Sequence, residues 1–99
     1  MVVGVLVVDL LLGDIHSLKG KRGVVRPILA ELVRRFSVSA AETGDQDLHR
    51  RAEISVAVVA GEHAHVVDVL AGCERLIAGR PETELLSART RVLDDDDLA

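Results

Sequence analysis

Val2-Val3-Gly4-Val5-Leu6-Val7-Val8-Asp9-Leu10-Leu11-Leu12 runs straight into Gly13-Asp14-Ile15-His16-Ser17-Leu18-Lys19-Gly20-Lys21-Arg22. The first part is almost wholly aliphatic and rich in β-branched residues, the composition of a central strand covered on both sides. Gly13-Asp14 is turn chemistry. Ser17 suits a helix N-cap, its side-chain oxygen accepting a backbone N–H from the first turn. A strand therefore hands over to a helix whose opening turns are cationic, a junction where free N–H groups and basic side chains converge.

Beyond Ser17, Leu18, Val25, Ile28, Leu29, Leu32, Val33 and Phe36 fall on one helical face, with Lys19, Arg26 and Arg34 opposite and Arg22 at the boundary. Pro27 lies inside this pattern, where proline loses one hydrogen bond and crowds the carbonyl four residues back, at ~3 kcal/mol. Either the helix begins at Leu18 and bends near Gly23, or residues 18–25 are irregular and Pro27 opens the helix. The periodicity from Leu18 favours the first.

Ser37 to Glu42 alternates as a strand, residues 43–47 are turn-rich, and Leu48 to Ala60 reads as a longer strand, the two pairing as a hairpin. Val66, Val69, Leu70, Cys73, Leu76 and Ile77 are spaced as a second helix, stopped by Gly79 and Pro81. Glu84 to Leu93 alternates as the last strand. The order β-α-β-β-α-β with right-handed crossovers predicts an α+β ferredoxin-like sandwich over residues 1–93: a four-stranded antiparallel sheet, order 4-1-3-2, with two helices on one face. Residues 94–99, opening with four consecutive aspartates, are expected to be a disordered acidic tail. One face of such a sheet lacks helices, yet the first strand is aliphatic on both sides. That face is expected either to associate, giving a homodimer or larger oligomer, or to be shielded by the stems of Arg50, Arg51, Arg89 and Arg91.

The net charge is −4 at pH 7, unevenly placed. Residues 1–51 hold eight Lys/Arg and six Asp/Glu; residues 52–99 hold four and ten. Between residues 16 and 35 six basic side chains meet one acid, Glu31. Local potential steers encounters more than the total does, so the acidic sum does not exclude an anionic partner. Phe36 is the single aromatic residue, which removes the stacking platforms of single-strand RNA sheets. Cys73 is alone, so neither an internal disulfide nor a thiolate zinc site is available, which suits a reducing cytoplasm. Met1 to Gly13 lacks a basic flank, contains Asp9 and is too short to span a bilayer, so neither a signal peptide nor a membrane anchor is expected.

The candidates for anion or RNA-backbone binding are His16, Ser17, Lys19, Lys21, Arg22 and Arg26 around the junction, with Arg50 and Arg51 of the His49-Arg50-Arg51 string extending the surface. The competing reading is a capped helix with a solvated basic face, and ordinary pairing of Arg50 and Arg51 with nearby acids. His63 and His65, two apart on a helix, diverge and chelate nothing together. Cys73 follows the buried periodicity and reads as a small core residue. Asp14, His16 and Ser17 sit in one loop with no nucleophile elbow. No catalytic residue, metal or cofactor is expected.

The joint occurrence of His16 to Arg22, Arg35 to Glu42, Asp47 and Arg51-Ala52-Glu53-Ile54 with Val56 to Val59 resembles the YlxP-like family of small bacterial proteins of unknown function, from about Met1 to Leu93. The resemblance implies a ferredoxin-like fold and, since members are often encoded among translation and ribosome-maturation genes, association with RNA or the ribosome. The family usually has Glu at the position of Gly20, where it would close a capping box with Ser17. Here the box is lost and the junction is more cationic; Pro27 is a second departure. The resulting expectation is a non-enzymatic cytoplasmic accessory protein bound to RNA or a ribosomal particle through the basic helix start. The alternative is a homo-oligomeric interaction module that uses the helix-free sheet face and binds no nucleic acid.

Overall fold

The computed structural model describes residues 1–99. β1 (Val2–Leu12) is the inner strand around which the others assemble. β3 (Arg51–Ala60) lies antiparallel to it from Val2 opposite Ala60 to Leu11 opposite Arg51. β4 (Thr83–Asp94) flanks its other side, and β2 (Ser39–Glu42) pairs with the outer side of β3. The result is an α+β fold with an open antiparallel sheet, order β2-β3-β1-β4, the expected 4-1-3-2 read from the opposite edge.

Cross-strand neighbours share a face, so the alternation of β1 sorts the whole sheet. Its even-numbered positions are buried and its odd-numbered ones half-buried. This corrects the expectation of a strand covered on both sides: full cover exists on one side only. Leu6, Val8, Leu10 and Leu12 join Ile54 and Val56 of β3, Val25, Ile28 and Leu32 of α1 (Leu18–Phe36), and Val66, Leu70, Cys73 and Ile77 of α2 (His63–Ala78) in one core. Gly4 is required where α2 crosses β1: a Cβ there would collide with Val66 and stand 2.7 Å from Leu70 Cδ1.

α1 runs unbroken from Leu18 with Pro27 inside it. Ser17 is its N-cap, Oγ accepting from Gly20 N–H at 3.0 Å, and Lys21 N–H reaches Ser17 O at 3.1 Å. The loss of one backbone bond at Pro27 is outweighed by burial of the flanking Val25, Ile28 and Leu32. β2 begins at Ser39 rather than Ser37, because Ser37 takes a left-handed conformation (φ 54°) and returns its N–H to Val33 O at 3.0 Å as the helix C-cap. β3 begins at Arg51 rather than Leu48. In β4 the pairing jumps from Asp9–Ser87 to Leu10–Leu85, so Leu86 is an unpaired bulge residue, and its alternation is broken there.

The acidic end is also corrected. Asp94 closes β4, and a third, short helix, α3 (Asp95–Leu98), follows in place of a disordered tail. Asp94 Oδ1 accepts from Asp96 and Asp97 N–H at 2.9 and 3.2 Å, and Asp97 Oδ2 accepts from Asp94 N–H at 2.9 Å, a reciprocal capping box. Carboxylates are favourable at a helix start, where free N–H groups and the dipole offset their mutual repulsion.

Candidate nucleic-acid interface

Helical spacing decides which basic residues of α1 act together. Positions 19, 22 and 26 are three and four apart and therefore stack along one ridge. Lys19, Arg22 and Arg26 are all exposed, and with Gly23 and Pro27 they line an open depression of about 470 Å³. None of the three has an ion-pair partner. Two turns further on, exposed Arg34 continues the same side of the helix. Helical periodicity alone adds Arg34 to the expected residues, since it lies on the same polar face.

The ridge is clear of acid because Glu31 is turned elsewhere. Its two carboxylate oxygens accept from Arg35 Nη1 at 3.2 Å and from Arg80 Nη1 at 2.9 Å, and Arg80 Nε donates to Glu82 at 2.9 Å. Arg35 also lies over the Phe36 ring, 5.6 Å from its centroid. This cluster ties α1 to the loop between α2 and β4.

The remaining candidates do not join the ridge. Lys21 is 2 % exposed. Its ammonium meets Glu42 Oε2 at 2.6 Å and donates to the carbonyls of Asp45 (2.6 Å) and Leu48 (2.8 Å). It is a pin for the loop between β2 and β3, not a group available to a ligand, and it is why Leu48 to Arg50 turn instead of extending β3. Arg50 is committed through Nε to the carbonyls of Leu12 (3.3 Å) and Gly13 (3.0 Å). Arg51 pairs in register with Leu11, which puts it on the helix-free face, away from α1. His16 Nε2 stands 2.7 Å from Asp14, both fully in solvent, and Ser17 Oγ is spent on the helix cap. Helical spacing already separates Lys21 from Lys19, because Lys21 stands four, seven and eleven residues before Val25, Ile28 and Leu32 on the buried face of α1; the sequence does not show its partners, Glu42 and two carbonyls more than twenty residues away.

Cys73 is buried among apolar side chains, and that burial pushes its thiol above the usual range. No three His, Cys, Asp or Glu side chains converge as metal ligands. No helix is long and apolar enough to cross a membrane.

The fold and the ridge together define a small α+β protein presenting an unpaired cationic helix face. Residues 3–90 match the model of a family described as a protein of unknown function, DUF503. The chain is 34% identical over 77 residues to the uncharacterized protein YlxP of Bacillus subtilis (strain 168), covering 78% of this chain and 84% of that one. The chain belongs to this YlxP-like family of unknown function.

Proposed function

We propose that this chain is a non-enzymatic accessory protein of the cytoplasm, built as a ferredoxin-like sandwich, that holds the phosphate backbone of RNA or of a ribosomal particle along α1. One observation carries the reading. Lys19, Arg22 and Arg26 form a ridge that no carboxylate neutralises, although the protein as a whole is acidic. A cationic ridge kept free of partners costs self-repulsion, which an anionic ligand relieves. The ridge carries no aromatic side chain, so contacts are to phosphate and sugar, and binding is indifferent to base sequence.

The test is fluorescence anisotropy of labelled RNA across a salt series. Three phosphate contacts give a slope of about −2.1 to −2.7 in log K against log salt, so binding weakens roughly 20–40-fold between 50 and 200 mM. Replacing Lys19, Arg22 and Arg26 together by Ala flattens that slope, whereas Arg51→Ala on the other face leaves it in place. An unchanged slope in the triple variant refutes the assignment.

A further inference from the structure

The free charge of α1 falls into two groups with a neutral gap between them. Lys19, Arg22 and Arg26 form the first, spread over about 10.5 Å of helix axis. Arg34 stands about 12 Å beyond Arg26 and is turned about 80° around the axis from it. It is exposed and has no ion-pair partner. The exposed residues between the groups are Pro27, Ala30 and Val33, none of them charged. We infer that this pattern takes duplex RNA: the first group follows the phosphates of one strand, Arg34 reaches the other strand, and the gap spans the groove between them. The inference rests on the reading of α1 as an RNA-backbone site and names the form of RNA that the site holds.

The side chains present, and those missing, select paired over unpaired RNA. Proteins that hold a single strand stack its bases on aromatic rings. The one ring here, Phe36, is half-buried and packed so closely on α2 that a Cβ at Gly72 would stand 2.6 Å from its Cε1. Amide side chains read adenine edges. The chain has no Asn, and its one Gln, Gln46, donates to the carbonyls of Glu42 (3.4 Å) and Thr43 (3.1 Å). A duplex stacks its own bases and turns their edges inward, so it asks only for phosphate contacts, which are what α1 offers. A single strand would also have to wind part of the way round the helix to meet Arg34 after Arg26, with nothing along the gap to hold it. A duplex brings its second strand there already fixed.

The gap also selects the A-form. The minor groove of an RNA duplex is wide and shallow and displays sugar hydroxyls, so a helix laid over it touches both rims and the floor. The B-DNA minor groove is about 6 Å across, half the gap, and the major groove, although about 12 Å wide, is about 8.5 Å deep, so a helix resting on its rims leaves water beneath. Gly23 and Ala30, small and exposed beside the cations, let α1 lie close to a shallow floor.

Anisotropy titrations of a labelled RNA hairpin stem, an unstructured RNA strand with the same number of phosphates and a DNA duplex of the stem sequence, each across a salt series, test this. Near 100 mM salt the stem is expected to bind roughly fivefold or more tighter than the single strand, the worth of one further phosphate contact, with a slope of about −3.6 for four contacts. Arg34→Ala, at an exposed site, keeps the circular dichroism spectrum, lowers the slope on the stem by about 0.9 and narrows the preference for it. Ala30→Glu, which sets a carboxylate in the gap, weakens stem binding. A single strand or a DNA duplex that binds as tightly as the stem overturns the inference, as does an unchanged slope on the stem in Arg34→Ala. Absence of binding to every RNA at low salt is a different result: it removes the reading of α1 on which the inference rests, and the inference with it.

Discussion

Lys21 shows how little a residue type says by itself. It sits between Gly20 and Arg22 in the most basic stretch of the chain, yet its ammonium is enclosed by Glu42 and the carbonyls of Asp45 and Leu48. Lys21→Met removes the charge but keeps the stem, stranding a carboxylate and two carbonyls; the expected loss is about 3 kcal/mol of unfolding free energy by urea titration, with RNA affinity per folded molecule unchanged. A stability loss under 1 kcal/mol would mean the loop holds without its pin. Cys73 makes a second residue-scale prediction. Burial disfavours its thiolate in the folded protein, so the unfolded chain releases the proton first and stability falls as pH rises above ~8.5. Thermal scans through that range should show the fall reduced in Cys73→Ala, and thiol reagents should label the wild type only as it unfolds.

At the scale of the element, α1 and β1 carry opposite uses of glycine. Gly20 stands three residues after the Ser17 cap, and a Cβ there would meet Ser17 Oγ at 3.4 Å and Ile15 at 3.5 Å, ordinary contact distances. Gly20→Ala is expected to stabilise by about 0.5–1 kcal/mol, through the entropy glycine loses in a helix. Gly20→Glu also restores a capping box, so its melting temperature should match or exceed that of Gly20→Ala while RNA binding weakens, because a carboxylate then stands beside Lys19. A drop in melting temperature for both variants would show that the helix start needs glycine. Gly4 has no such room. Gly4→Ala drives a methyl into Val66 and Leu70 and is expected to cost about 1–3 kcal/mol, read as a lower urea midpoint with an unchanged slope. The element limits themselves were legible wherever period and caps agreed, as at Ser17 and Gly79. They moved where a tertiary contact intervened, as at Leu48, or where backbone handedness did, as at Ser37.

At the scale of the whole molecule, the α1 ridge is left without an acidic partner while the other charges of that helix are paired across the fold. The sequence by itself determined the order of the four strands and the two long helices, the sheet order and the apolar faces of both helices, because hydrophobic period and turn residues act locally and agree with one another here. Only the tertiary structure decided which charges remain free. Helical spacing separates Lys21 from Lys19, but the partners of Lys21, the carbonyl acceptors of Arg50 and the sheet parity of Arg51 depend on residues brought together from distant parts of the chain. The acidic end follows the same logic: like charges predict repulsion, and the N–H groups that turn repulsion into a cap exist only once the backbone has curled around Asp94.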